Sequence, residues 1–90
     1  MRIITCIQSL RIRGKLQQTI YMAIIQLIES GQTTITAEMV KDKCFMINNQ
    51  IPWDGRVPAI CNSMRNTRKC GGRIVGEDRD FNGFTIEFNI

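Results

Sequence analysis

The sequence predicts an α+β domain, because apolar residues recur at helical spacing through its first two thirds and alternate at strand spacing near its end. Residues 84–90 alternate apolar and polar side chains, as a strand with one buried face does. Asn82-Gly83 precedes this run, and that dipeptide favours a tight hairpin turn. A length of 90 residues fits one domain, so residues 1–90 are predicted to fold as a single unit.

Residues 1–13 are predicted to be an extension that precedes the core, and their pattern leaves two conformations open. Apolar side chains at positions 4, 6, 10 and 12 share the parity of a strand, whereas Ile3, Ile7 and Leu10 fit one face of a helix. The β-branched content slightly favours an extended segment. We expect this extension to be an added strand or a contact between two copies of the chain.

The first core helix is predicted over residues 15–30, with Gly31 after its last turn, where glycine accommodates a left-handed backbone. A short β-bridge and a second helix over residues 37–45 are predicted next, with Thr36 as the N-cap. The apolar stripe of the first helix consists of Leu16, Ile20, Ala23, Ile24, Leu27 and Ile28.

A third helix is predicted over residues 55–70, with Asp54 as its cap and Pro58 in its first turn, where a missing N–H costs least. Gly71-Gly72 ends it, and strands over residues 73–75 and 84–90 complete a hairpin. The predicted inward face of this helix consists of Val57, Ile60, Cys61 and Met64. The predicted outward face consists of Ala59, Asn62, Ser63, Asn66 and Lys69, with Arg65 at its flank.

Charge is segregated along the chain. The net charge is +4, and no Asp or Glu occurs in residues 1–28 or 55–76. The second of these acid-free stretches contains the predicted third helix, so that helix carries bases and amides without acids. Segregation of this kind favours an anionic partner more strongly than the total charge does.

The cysteines and acids do not indicate a metal site. Cys6, Cys44, Cys61 and Cys70 form no CxxC pair, and histidine is absent, whereas structural zinc uses closely spaced ligand pairs. We expect free, buried thiols in a reducing compartment. Residues 78–83 resemble the opening of a calcium-binding loop, but Asn89 stands where that loop needs a Glu, so solvent-facing acids are predicted instead. No metal or cofactor is expected.

The composition also argues against an enzyme, a membrane protein and a secreted protein. No histidine is present as a general base, and close carboxylates occur only in the predicted hairpin turn. No apolar run approaches the roughly 18 residues of a membrane span, and residues 3–7 are too short and polar for a secretory leader. The expected location is the cytoplasm, in association with the nucleoid if the source is bacterial or archaeal.

The order of helix, short strand, two helices and hairpin resembles the winged-helix superfamily over about residues 15–90. The matching parts are the helix end at Ser30-Gly31, the Ile35-Thr36-Ala37-Glu38 entry to the second helix, the helix over residues 57–69 and the hairpin. The resemblance implies a three-helix helix-turn-helix core with a C-terminal two-stranded wing. It also implies that the third helix enters the major groove of DNA and that the wing touches backbone or minor groove.

The residue types of the third helix fit that role, because Asn pairs with adenine edges and Arg or Lys with guanine edges. The predicted base contacts are Asn62, Ser63, Arg65, Asn66 and Lys69. The predicted phosphate contacts, which would fix the position of the helix on the duplex, are Arg56, Arg68, Arg73 and Arg79.

The predicted function is that of a small transcriptional regulator that binds double-stranded DNA as a homodimer. The alternative is a winged-helix protein-interaction module, or a subunit of a nucleic-acid-processing complex. Glu77, Asp78 and Asp80 leave that alternative open, because acids at the hairpin tip would repel phosphate.

Overall fold

Helices occupy most of the first 70 residues, and a small antiparallel sheet completes the fold. The computed structural model describes residues 2–76 and 83–89. Within them the helices are α1 (Arg2–Gln8), α2 (Lys15–Glu29), α3 (Ala37–Ile47) and α4 (Val57–Asn66), and the strands are β1 (Thr34–Thr36), β2 (Gly72–Gly76) and β3 (Thr85–Phe88). Two 3₁₀ turns, Trp53–Arg56 and Thr67–Cys70, flank α4. The predicted α+β class is confirmed.

The N-terminal extension is helical over residues 2–8, so of the two conformations left open the slightly favoured strand is wrong and the helix is present. Ile3 and Ile7 lie four residues apart and therefore share one side of α1. Ile7 is fully buried, and α1 contacts both α2 and the 3₁₀ turn after α4. Burial of this helical stripe outweighs the weak β preference of isoleucine, which depends on having a sheet to join.

The predicted stripe of α2 forms the centre of the core, with only Leu16 half-buried. Thr36 caps α3 as predicted, since its Oγ1 accepts a hydrogen bond of 3.1 Å from the Met39 backbone N–H. α3 continues two residues past its predicted end, to Ile47. The Asn48 side chain then accepts the Gln50 N–H at 3.1 Å and stabilises the turn that follows.

The sheet has the order β1-β3-β2, and β3 pairs antiparallel with both neighbours. Ile86 is the central residue, because it lies opposite Ile35 of β1 and Ile74 of β2. Phe84, Ile86 and Phe88 are buried, so the alternation predicted for this strand is confirmed over the described residues. The sheet thus covers the helices with one apolar face.

A disulfide links Cys6 to Cys70, which corrects the expectation of free thiols at these positions. Their Cα atoms lie 5.5 Å apart although 64 positions separate them in the sequence. Only tertiary structure brings α1 to the turn after α4, so the spacing of the cysteines gave no signal of this pair. Cys44 and Cys61 are buried thiols outside the disulfide, and their burial was expected.

Candidate nucleic-acid interface

α4 is bounded by local features of its sequence. Pro58 lies in its first turn, and Gly71 adopts φ 95° just after the second 3₁₀ turn, a conformation that suits glycine. Asp54 does not cap the helix, which corrects the prediction, because it lies inside the preceding 3₁₀ turn and pairs with Lys41 at 3.2 Å. The helix therefore starts without a side-chain cap.

A polar cleft lies between α4 and the segment that joins α1 to α2. Its volume is about 440 Å³. Its polar lining consists of Arg11, Arg13, Gln17, Tyr21, Asn62, Asn66 and Lys69, with Leu10 as the apolar member. Three of these side chains are cationic and none is acidic, so we call this site the basic cleft. It joins residues from both acid-free stretches of the sequence.

Tyr21 organises the wall of the basic cleft. It is only 3% exposed, and its hydroxyl oxygen accepts N–H donors from Asn66 at 3.1 Å and Gln17 at 3.4 Å. The Gln17 Oε1 in turn accepts the Arg13 backbone N–H at 2.9 Å, which fixes the amide with its nitrogen toward Tyr21. Asn66 is therefore held in a defined orientation before any partner binds.

A second hollow of about 310 Å³ adjoins the basic cleft and shares Arg13, Gln17 and Asn62 with it. Leu16, Ile20 and Ala59 make much of its wall apolar. Ser63 and Gly14 complete the lining. We call this site the apolar hollow. The two sites are therefore neighbours beside α4, one lined mainly by cations and amides and the other largely by apolar side chains.

Arg65 is held against the protein. Its guanidinium carbon lies 4.9 Å from the centroid of the buried Phe84 ring, within range of a cation–π contact. One guanidinium nitrogen also donates to the Asn62 Oδ1 at 3.0 Å. Arg65 and Asn62 thus form a hydrogen-bonded pair on the surface of α4, and a base contact by either would involve both.

Ser63 does not lie on the outward face, so that prediction is wrong. It is 3% exposed and lies on the same side of α4 as Ile60 and Thr67, three positions before it and four after it. A side chain as small as serine fits against the neighbouring helix, and its hydroxyl makes it look like a surface residue in the sequence. Ser63 is thereby removed from the predicted base contacts.

The predicted phosphate contacts occupy different elements. Arg56 is exposed at the start of α4, and Arg68 is exposed just after it, where its Nε donates to the Arg65 carbonyl at 3.2 Å. Arg73 on β2 is exposed but pairs at 3.0 Å with Glu87, its cross-strand neighbour. Arg79 lies outside the described residues, as do the acids at the hairpin tip.

Four polar members of the basic cleft were absent from the predicted contact set: Arg11, Arg13, Gln17 and Tyr21. The acid-free N-terminal stretch was a signal for the two arginines, since its charge resembles that of α4. Gln17 and Tyr21 lie outside the predicted apolar stripe of α2, so the helical pattern gave no signal for either of them. Only the packing of the segment after α1 against α4 brings these residues together.

The remaining cysteines and acids do not form a candidate catalytic or metal site in the described part of the chain. Burial raises the pKa of the Cys44 thiol to about 12, which makes it a poor nucleophile near neutral pH. No group of three or more Cys, Asp or Glu side chains that could hold a metal occurs among residues 2–76 and 83–89.

Comparison with protein-family models, with curated proteins and with solved structures finds no match. None of the helices in the described residues combines the length and the apolar character that crossing a membrane requires. The function is therefore inferred from the residues of the site themselves.

Proposed function

We propose that this protein is a small winged-helix transcriptional regulator that binds double-stranded DNA, with α4 in the major groove. The order α2, β1, α3, α4, β2, β3 supports this architecture, as does the pairing of β3 with both β1 and β2. In this arrangement α4 is the recognition helix and the β2–β3 hairpin is the wing. α1 is an addition that packs on the core beside the end of α4.

The basic cleft is the observation that carries the proposal. Arg11 and Arg13 come from the first acid-free stretch, and Lys69 comes from the second. Folding concentrates their charge beside the amides of Asn62 and Asn66 on α4, although 55 residues, four of them acidic, separate Arg13 from Lys69 in the sequence. A surface that combines cations with oriented amides suits a duplex, because phosphates attract the cations and base edges pair with the amides.

The proposed contacts divide into two groups. Asn62, Arg65, Asn66 and Lys69 read base edges from α4. Arg56, Arg68 and Arg73 bind phosphates, and Arg11 and Arg13 add phosphate contacts beside the helix. Since Arg73 is already paired with Glu87, its contribution to binding is expected to be smaller than that of Arg68.

Titration of labelled random-sequence duplex DNA tests the proposal. Four to six phosphate contacts predict a slope of roughly −4 to −5 in a plot of log affinity against log salt concentration. The expected non-specific dissociation constant is about 10⁻⁴–10⁻⁶ M at physiological salt. Absence of binding by about 10 µM protein at low salt would reject DNA binding, because reduced salt strengthens phosphate contacts steeply.

We further propose that two copies bind one site, because a single helix of this size supplies limited base contact and paired half-sites extend it. Sedimentation of the protein with and without a selected duplex measures the copies bound. The expected cytoplasmic location is not carried into this proposal, because disulfides such as Cys6–Cys70 persist mainly in oxidising compartments. A protein-interaction role would be supported if duplex DNA of every sequence failed to bind.

A further inference from the structure

In the part of the chain that the structure describes, no side chain accepts the hydrogen of the Tyr21 hydroxyl. Its oxygen accepts N–H groups from both Gln17 and Asn66, so its own hydrogen is not needed for either contact. The side chain lines the basic cleft and is almost fully buried. A buried hydroxyl with an available hydrogen favours an acceptor in the cleft.

The charges around this hydroxyl indicate what the acceptor is. Arg11, Arg13 and Lys69 line the same cleft, which has no acidic member. A phosphate monoester carries about −1.5 to −2 charges at neutral pH and three acceptor oxygens, so it matches several cations and a hydroxyl donor better than a carboxylate does. The positive charges of Arg11, Arg13 and Lys69 repel one another, and an anion bound in the cleft offsets that repulsion.

The apolar hollow fits a second, less polar part of the ligand. Leu16 and Ala59 are half-buried walls of the hollow, and Ile20 lies fully buried behind them. Such walls suit the flat face of a nucleobase, and the Asn62 amide lies where the cleft and the hollow meet, within reach of polar base edges. Both volumes fall in the range of roughly 300–1,000 Å³ that is typical of small-molecule sites.

We propose that the basic cleft and the adjoining apolar hollow, which share Arg13, Gln17 and Asn62, together bind a nucleotide with a terminal phosphate. The phosphate occupies the basic cleft, and the base lies in the apolar hollow. The nucleotide is either free or the 5′-phosphorylated end of a DNA strand. The inference deepens the proposed function, and its second form rests on that function.

Calorimetric titration with adenosine 5′-monophosphate, adenosine and inorganic phosphate tests whether both parts of the site act together. We expect the nucleotide to bind at least about tenfold more tightly than either fragment, because each fragment fills only one part. Equal affinity for the nucleotide and adenosine would overturn the proposal, as would failure of the nucleotide to saturate the protein below roughly 10 mM.

Variants of exposed cations locate the phosphate without risk to the core. Lys69→Gln and Arg13→Gln should each weaken the nucleotide about fivefold to tenfold, because each removes a charge-assisted contact. Arg2→Gln removes the same charge from an exposed position of α1 outside the cleft and should leave affinity unchanged. If Arg2→Gln weakens binding as much as Lys69→Gln, the attraction is diffuse and the assigned site is wrong.

Tyr21→Phe tests the hydroxyl directly. It should weaken adenosine 5′-monophosphate severalfold and leave adenosine unchanged, because adenosine has no phosphate to accept the hydrogen bond. Equal loss for both ligands would contradict the placement of the phosphate. The Lys69→Gln result decides the question if Tyr21→Phe folds poorly.

Three DNA substrates distinguish the source of the nucleotide from DNA binding itself. A short duplex with 5′-phosphates should bind more tightly than its 5′-hydroxyl counterpart if the site takes DNA ends, and equally if it takes free nucleotides. A closed circular duplex has no ends, so its binding measures the proposed function alone. Circular DNA that binds while the nucleotide does not would overturn this inference only. If the nucleotide binds and circular DNA does not, the proposed function is wrong, but the inferred site for a free nucleotide is not contradicted.

Discussion

At the scale of single residues, the amides of α4 matter because the protein orients them before binding. Tyr21 and Gln17 fix Asn66, and Arg65 fixes Asn62. Preorganised groups lose less conformational freedom on binding, so more of each contact energy contributes to affinity. The basic residues alone would attract any polyanion, whereas oriented amides can distinguish one base pair from another.

The roles of amide and cation are separable by mutation. Asn66→Ala should relax sequence preference by about 1–3 kcal/mol at one base pair, because it removes a base contact. Arg68→Ala should weaken all sequences alike and reduce the salt slope by about 1. Binding to selected and scrambled duplexes measures both effects. Identical changes in specificity for the two variants would contradict the assignment.

Cys44 provides a residue-scale prediction about pH. Its pKa is raised by burial from 9.0 to about 12, so the folded state keeps a proton that the unfolded state releases above pH 9. This contribution to stability is complete below pH 9 and is lost as the pH rises toward 12. Cys44→Ala should flatten the decline of unfolding free energy between pH 9 and 11, measured by urea denaturation. If the unfolding free energy of Cys44→Ala declines as steeply as that of the unaltered protein, groups other than Cys44 cause the decline.

At the scale of elements, sequence patterns predicted the helices and strands with strong periodicity. The stripe of α2 and the alternation of β3 repeat over several residues, so one unusual position does not hide them. α1 is only seven residues long, and both periods fit its few apolar positions. Ser63 was misplaced because helical spacing puts it near the boundary between the two faces of α4, where a small polar side chain can pack between helices.

Gly72 shows how closely β2 approaches its neighbour. A Cβ at this position would lie 2.6 Å from the Ile86 Cδ1 and 3.0 Å from Phe88 Cε1, and both of those side chains are buried. Gly72→Ala should therefore lower the unfolding free energy by about 1–3 kcal/mol.

Gly55→Ala is the matched control, because a Cβ there has nothing within 4 Å. Thermal denaturation of both variants compares the two sites. If Gly72→Ala is as stable as Gly55→Ala, the sheet can move apart more easily than its packing indicates.

At the scale of the whole molecule, the fold joins regions whose proximity the sequence does not reveal. The predicted order of elements placed α4 and the hairpin, but it gave no position for residues 2–13. Those residues supply Ile7 to the core, Cys6 to the disulfide and two arginines to the basic cleft. Such contacts depend on packing between distant segments, for which a single sequence has no periodic signal.

The disulfide predicts the behaviour of the thiols. Denatured protein should react with two equivalents of a thiol reagent without reductant and with four after reduction, because Cys6 and Cys70 are paired. Reduction should also lower the unfolding free energy by roughly 2–4 kcal/mol, since it frees a long loop in the unfolded state. Four reactive thiols without reductant would show that the purified protein is reduced.

In the proposed function, folding brings the two acid-free stretches together as one DNA-binding surface. The most direct test is the salt dependence of duplex binding by Arg13→Gln, compared with Arg2→Gln. Both variants remove one exposed positive charge from the first stretch, but only Arg13 lines the basic cleft. We expect Arg13→Gln to reduce the salt slope by about 1 and Arg2→Gln to leave it unchanged. An equal change in both slopes, or none in either, would contradict the proposed surface.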